Sequence, residues 1–254
     1  MRYPYIGITG VATPFEATAI LDMTPPDVKR KIGIGVLVSE KKMLEGVFTH
    51  SHPHWGEVER ICTPDTRAFN IIHYIPLHYH HTHDALYVGL MKMVEIGGAH
   101  LHAIQINMDW PSESAIAQFR SRFPHIQIIM QIRRAMLDAF DEPPSLMKRI
   151  KDYYDGLVDY FLVDRSMGEG KPFDIHEAEK YLLALASAFP LCGLVLAGGL
   201  YAEVLEKSVR YFAMRISYLS IDAQTHLQDA HRIIEYMRVK KYIRQALQIF
   251  NEFP

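Results

Sequence analysis

The chain has 254 residues, of which 49% are hydrophobic and 22% charged, a composition that is typical of a folded domain with a large core and excludes intrinsic disorder. Its formal net charge of −2 leaves no basic field to hold a phosphate backbone, so we expect no nucleic-acid partner. Cys62 and Cys192 lie far apart, and no run approaches the ~20 apolar residues of a membrane span, so we expect a cytoplasmic protein without disulfides or membrane segments.

Strand-like apolar runs alternate with helix-like segments along the whole chain. The predicted strands are 6–11, 32–38, 69–77, 101–108, 126–132, 158–164, 192–197 and 214–223. The predicted helices begin near Pro14 and Ser112 and cover 57–62, 84–97, 144–154, 175–189, 202–209 and 226–250. Eight strand–helix alternations in about 250 residues predict an α/β fold, a single-domain (β/α)8 barrel over residues 1–254, in preference to an open doubly wound sheet.

Several residues inside the predicted strands bear on the position of a ligand. The glycines of the second strand, IGIGVLV, predict close packing inside the barrel or a backbone that approaches a ligand. Gln105 and Arg133 are expected to contact a substrate at the barrel mouth, Arg133 through an anionic group, with packing and surface ion pairs as the alternatives. His73 and His102 are expected to be hydrogen-bonded barrel residues or packing residues and not ligands.

Histidines cluster in two predicted loops. His50 and His52 follow the second strand, and His78 and His80 follow the third. In a barrel both loops lie on the rim that carries the active site, and imidazoles on neighbouring loops can bind zinc or another divalent metal. The alternative is that these loop histidines have no function. A rim histidine can also act as a general base, because its pKa lies close to neutrality.

The sixth predicted strand delivers a carboxylate to its carboxyl end. In the stretch 159–174, DYFLVDRSMGEGKPFD, the apolar run stops at Asp164, and a loop with Gly168, Gly170 and Lys171 precedes the next helix. Ligands bind outside the carboxyl ends of barrel strands, so Asp164 is a predicted catalytic residue. The alternative is a solvated strand terminus without a role in catalysis.

The seventh predicted strand ends in a glycine pair. In GLVLAGGLYAEVL, residues 193–205, Gly198 and Gly199 stand between the strand and the next helix. Backbone N–H groups in such a turn can bind a phosphate, and the loops after strands 7 and 8 of barrels commonly do so. The alternative is a tight turn in which glycine only avoids strain.

These two stretches resemble the sixth and seventh units of the phosphoribosylanthranilate isomerases, barrel enzymes of tryptophan biosynthesis. The family has an LLD-type strand, a GGTGKPFDW-type loop and an LAGGL turn at these places. The stretches IGITGVAT and LHAIQINMD are similar to the family's KICGLT and VQLHG strands. The resemblance implies a (β/α)8 barrel and an Amadori rearrangement of a phosphorylated sugar. It also implies that Asp164 is the acid on the ring oxygen and that Gly198, Gly199 and the Lys171 loop surround the anion.

The chain departs from this family at three places. Thr9 stands where the family has the cysteine that removes the C2 proton, and a threonine hydroxyl is far too weakly acidic to ionise without a strong activator. Asp222 stands in place of a phosphate-binding Ser-Gly pair, where its carboxylate would repel a phosphate unless a cation or a proton intervened. Lys41 and Lys42 are the nearest cations to the position of the family's second-loop arginine.

Three functions stay open at this point. The first is an isomerase or lyase for a phosphorylated sugar or related small molecule, with Asp164 as the acid and Thr9 or a rim histidine as the base. The second is a metal-dependent enzyme that uses the rim histidines; no other cofactor is expected. The third is a barrel that binds a ligand without turning it over. Apolar spacing in the last helices, around Met237 and Tyr242, indicates core packing or a homodimer interface.

Overall fold

Eight parallel strands close into a barrel in which each strand pairs with its neighbours in chain order. The computed structural model describes residues 3–77, 82–140, 142–164, 175–216 and 218–253. The strands are β1 (Tyr5–Thr9), β2 (Lys31–Ser39), β3 (Ala68–Ile75), β4 (Ala103–Ile106), β5 (Gln127–Arg133), β6 (Tyr160–Asp164), β7 (Gly193–Ala197) and β8 (Leu219–Ala223).

Helices alternate with these strands and confirm the predicted (β/α)8 barrel. They are α1 (Pro14–Asp22), α2 (Glu40–Glu45), α3 (Val58–Ile61), α4 (His83–Gly97), α5 (Glu113–Arg122), α6 (Arg134–Asp138), α7 (Pro143–Tyr154), α8 (Ile175–Ala188), α9 (Ala202–Ala213) and α10 (Tyr236–Glu252). Within the described ranges, no helix has both the length and the apolar character that crossing a membrane requires.

Predicted boundaries near β8 are wrong. The eighth strand begins at Leu219 and not at 214, because the N–H groups of Met214 and Ile216 donate to carbonyls of α9 and close the turn that follows this helix. Of the helical segments predicted over 226–250, a 3-10 turn at Thr225–Leu227 comes first, and the long helix α10 begins only at Tyr236. Residues 228–234 form a turn instead, closed by a bridge between Gln228 and Ile234.

Alternate strand residues face the helices, and the others face the barrel interior. The outward set includes Ile6, Ile8, Ile32, Ile34 and Val36, all fully buried in the layer between strands and helices. This layer is the main core of the protein. Helix α10 covers it on one side with Val239, Tyr242, Ile243, Ala246 and Ile249, while Met237 is exposed.

The barrel interior changes from apolar to polar along the strand direction. Its lower part is a separate apolar cluster of Tyr5, Phe69, Ile71, Ala103, Ile129, Tyr160, Leu162, Val195 and Ala197. Further along the barrel, towards the carboxyl ends of the strands, stand polar side chains, each no more than 9% exposed. This polar layer consists of Thr9, His73, Gln105, Gln131, Asp164 and Asp222.

Glycines in β1 and β2 make room for the polar layer. Gly35 fits the close packing predicted for the second strand, whereas Gly7 in β1 was not singled out from the sequence. A Cβ atom on Gly7 would lie 2.3 Å from Asp222 Oδ1. A Cβ atom on Gly35 would lie 2.6 Å from Thr9 Oγ1 and 2.8 Å from His73 Nε2. Because real Cβ contacts are longer than this, only glycine at these two positions allows the three polar side chains to keep their places.

We expect Gly7→Ala to destabilise the fold by about 1–3 kcal/mol, because the added methyl group overpacks the position of Asp222. In an Asp222→Ala background the obstructing carboxylate is gone, so the same change should cost less than half as much. Urea unfolding of the four proteins in this double-mutant cycle measures the coupling. An equal loss in both backgrounds would show that the glycine is needed for another reason.

Candidate functional site

A cavity of about 1130 Å³ opens at the carboxyl ends of the strands, with the polar layer as its floor. The loops after β1, β2, β7 and β8 form its walls. Of the residues predicted to form a site, nine line this one cavity: Thr9, His50, His52, Gln105, Arg133, Asp164, Gly198, Gly199 and Asp222. The other five, Gly168, Gly170, Lys171, His78 and His80, lie outside the described residues.

Thr9, Asp222 and His73 form a continuous hydrogen-bonded group on the cavity floor. The Thr9 hydroxyl is 2.9 and 3.0 Å from the two carboxylate oxygens of Asp222 and 3.1 Å from His73 Nε2. The carboxylate therefore contacts the hydroxyl directly. In a serine-protease triad it would contact the far side of the imidazole instead, so this arrangement is not that of an activated nucleophile.

Burial changes the pKa values of Asp222 and His73 in opposite directions. Burial raises the pKa of Asp222 to about 7, the negative charge of Asp164 adds to the rise, and hydrogen bonds from Thr9 and the Ala223 N–H oppose it. Burial lowers the pKa of His73 to about 3, so this imidazole is neutral at pH 7. The floor thus holds one carboxyl group that titrates near neutrality beside one uncharged imidazole.

Asp164 and Asp222 lie at the same level of the barrel on alternate strands. Each is the register partner of Ala197, which stands between them in β7. Since neighbouring strands are about 4.8 Å apart, the two backbones are separated by roughly 10 Å, and both side chains line the same cavity. A small ligand on the floor can therefore reach both carboxyl groups.

Two buried amides link Asp164 to the neighbouring strands. Gln131 Nε2 donates to Asp164 Oδ2 over 3.2 Å, and Gln105 Nε2 donates to Gln131 Oε1 over 3.3 Å. These bonds hold the carboxylate in one orientation. Among the described residues, Gln105 Oε1 has no hydrogen-bond partner.

The cavity walls carry several cationic groups. Arg133 Nη1 lies 3.5 Å from Asp109 Oδ2, and Arg232 adopts a left-handed backbone conformation with φ of 64°. Lys42 Nζ lies 3.1 Å from His52 Nδ1. The wall after β7 is the turn of Gly198 and Gly199, whose φ values of 98° and 64° favour glycine.

The predicted site for zinc or another divalent metal stays a prediction. Among the residues that the structure describes, no three His, Cys, Asp or Glu side chains are grouped for metal binding. His50 and His52 line the cavity, but burial and the charge of Lys42 lower the pKa of His52 to about 4. A metal ion at His52 would lie close to this lysine, which disfavours it electrostatically.

Two members of the polar layer were not recognised from the sequence. His73 was expected to be a hydrogen-bonded barrel residue or a packing residue and was not assigned to the site; it bonds to Thr9 and lines the cavity. Gln131 was not singled out. Its signal was the inward face of β5, because it lies two residues after Ile129 and two before Arg133, as Asp164 lies two after Leu162.

No protein-family model and no curated protein matches the sequence. Solved structures share its fold. Phosphoribosyl anthranilate isomerase from Thermococcus kodakaraensis has a TM-score of 0.62 and 13% identity, over 96% of this chain and 99% of that one. The catalytic domain of a hyperthermophilic chitinase from Pyrococcus furiosus has a TM-score of 0.59 and 11% identity, over 99% and 97%.

A Rubisco-like protein from Rhodopseudomonas palustris gives a TM-score of 0.53 and 12% identity, over 99% of this chain and 64% of that one. Identities this low establish the barrel fold alone. The three proteins differ in kind although they share the architecture. The chain is therefore a (β/α)8 barrel similar in structure to a phosphoribosyl anthranilate isomerase.

The raised pKa of Asp222 predicts a specific dependence of stability on pH. The folded chain binds this proton more tightly than the unfolded chain, so the stabilisation is complete only below about pH 4 and is lost as the pH rises from there through about 7. The difference in free energy of unfolding between wild type and Asp222→Asn should fall by up to about 4 kcal/mol over this range. Urea unfolding between pH 4 and 8 measures it.

The matched control is Asp138→Asn, which removes a half-exposed carboxylate on α6. This variant also removes one carboxylate, but outside the barrel, and its difference from wild type should lack the change expected for Asp222→Asn. A difference for Asp222→Asn that is constant from pH 4 to 8 would contradict the assignment.

Proposed function

We propose that the protein is an enzyme that catalyses proton transfer on a phosphorylated sugar, in an isomerisation of the phosphoribosylanthranilate type. The observation that carries this proposal is the pair of buried carboxyl groups, Asp164 and Asp222, at one level of one cavity. The pKa of Asp222 is raised to about 7. A pair of carboxyl groups in which one has a raised pKa and the other is a charged neighbour is typical of sites for acid–base catalysis.

The pair holds one proton near neutral pH. The negative charge of Asp164 helps to raise the pKa of Asp222, so Asp222 is the group that keeps the proton. Before substrate reacts, Asp222 is then the group that can donate a proton to it, and Asp164 is the group that can accept a proton from it. The family resemblance assigns the acid role to Asp164, and the two assignments make different predictions for the pH dependence of turnover.

The same proton removes the objection to a phosphorylated ligand. A protonated Asp222 has no charge with which to repel a phosphate group. The Gly198–Gly199 turn, Lys42 and Arg133 line the cavity and offer backbone and cationic contacts to an anion. Thr9, at the position of the family's cysteine, lies against this carboxyl group, so Asp222 supplies an ionisable group where the threonine cannot.

Structural similarity supports the substrate class without deciding it. A phosphoribosyl anthranilate isomerase covers nearly the whole of this chain. The sequence stretches around Asp164 and Gly198 resemble that family at two positions of the site. We infer a small phosphorylated substrate and no nucleic-acid partner.

The test is turnover of phosphoribosylanthranilate by purified, EDTA-treated protein, followed through the loss of anthranilate fluorescence. Asp164→Asn and Asp222→Asn should each lower kcat by a factor of about 10²–10⁴, the usual contribution of a positioned acid or base. Asp138→Asn, on the outer helix α6, should keep wild-type activity. With Asp222 as the acid, kcat should fall as the pH rises above about 7.

The possible outcomes separate the assignments. A rate that rises through pH 7 and is lost in Asp222→Asn would make Asp222 the base and Asp164 the acid. Full activity in Asp222→Asn would exclude the carboxyl pair as the catalytic group. Folded wild-type protein without turnover would refute this substrate, and binding without turnover would favour a ligand-binding barrel.

A further inference from the structure

The Thr9 hydroxyl connects a carboxyl group on one side of it to an imidazole two strands away on the other, all on the floor of the same cavity. Thr9 lies in β1, Asp222 in β8 and His73 in β3, and all three side chains are at least 91% buried. A Cβ atom on Gly35, in the intervening strand β2, would overlap both Thr9 and His73. Glycine at this position is therefore what permits contact between side chains that stand two strands apart.

The protonation state of Asp222, the direction of the Thr9 hydroxyl and the tautomer of His73 depend on one another, because the three groups have only a few protons to donate. Thr9 has one hydroxyl proton and lies within hydrogen-bond distance of Asp222 and of His73 Nε2. When Asp222 is ionised it can only accept, so Thr9 donates to it and His73 Nε2 must carry a proton. When Asp222 is protonated it can donate to Thr9, which then donates to Nε2 and places the imidazole proton on Nδ1.

We propose that Asp222, Thr9 and His73 form a proton relay, in which His73 exchanges a proton with the ligand at Nδ1 while Thr9 exchanges one with it at Nε2. The relay makes His73 a further catalytic residue, and this part rests on the proposed function. Thr9 passes the proton between Asp222 and His73. The coupling between Asp222 and the imidazole tautomer holds without any ligand.

The proton transfer conserves all protons, and no step requires a charged imidazole. The Nδ1 proton of His73 moves to the ligand, the Thr9 proton moves to Nε2, and the Asp222 proton moves to the Thr9 oxygen. The ligand gains one proton, Asp222 becomes a carboxylate, and His73 is neutral before and after. Burial of His73, which disfavours its protonated form, is compatible with this route and opposes any route through an imidazolium ion.

Among the described residues, Asp164, Tyr5 and Tyr242 interact electrostatically with Asp222. Burial, together with the charge of Asp222, raises the pKa of both tyrosines well above 10, so they stay uncharged. The register neighbours of His73 are Leu37 in β2 and Gln105 in β4, and neither titrates.

The test is the tautomer of His73, read from its ¹⁵N chemical shifts in ligand-free protein between pH 5 and 9, with His73→Gln to assign the signals. In wild type the proton should move from Nδ1 to Nε2 with a midpoint near pH 7, where Asp222 titrates, while the ring stays neutral. Thr9→Ser keeps the hydroxyl and should keep this change. Thr9→Val has nearly the same shape without the hydroxyl and should abolish it.

Asp222→Asn is the second variant and should hold His73 in one tautomer throughout, which keeps the test valid if Thr9→Val does not fold. One tautomer from pH 5 to 9 in wild type, an imidazolium signal, or an unchanged switch in Thr9→Val would each overturn the relay. In turnover assays Thr9→Val should lose at least tenfold in kcat at pH 7 and Thr9→Ser should not. Absence of turnover in wild type refutes the proposed function alone, because the tautomer is read without substrate.

Discussion

A closed barrel admits little water to its centre, and this constraint shapes the whole site. A buried polar group without a partner costs about 1–3 kcal/mol, so polar side chains there must satisfy one another. Here they form two groups: Asp222 with Thr9 and His73, and Asp164 with Gln131 and Gln105. Each carboxylate is tied to residues of other strands.

The burial that makes these hydrogen bonds necessary also raises the pKa of Asp222. Desolvation disfavours the charged form of Asp222, and a second carboxylate at the same level of the barrel adds to the effect. A carboxyl group that keeps its proton near neutral pH is less favourable for stability than an ordinary one, and functional sites commonly carry such a cost. The apolar cluster below the polar layer and the large core outside the strands supply the stability that tolerates it.

Much of the fold was readable because strand periodicity and chain length are local properties. Eight apolar runs identified the barrel, and strand ends identified Asp164 and the Gly198–Gly199 turn. Which side chains contact one another in the site was harder to predict, because the contact between Thr9 and Asp222 joins the first strand to the last. Whether Gln131 and His73 face inwards depends on the register of closure. The start of β8 was misplaced because the apolar residues Met214 and Ile216 end a helix instead of opening a strand.

The central claim is that Asp222, on the barrel floor, keeps its proton near neutral pH and that the negative charge of Asp164 helps it to do so. The most direct measurement is the ¹³C titration of the Asp222 carboxyl group, assigned with Asp222→Asn, in wild type and in Asp164→Asn. The account predicts a midpoint near pH 7 in wild type and a lower midpoint in Asp164→Asn, where the neighbouring negative charge is absent. A midpoint close to 4 in wild type, or one that does not respond to Asp164→Asn, would contradict it.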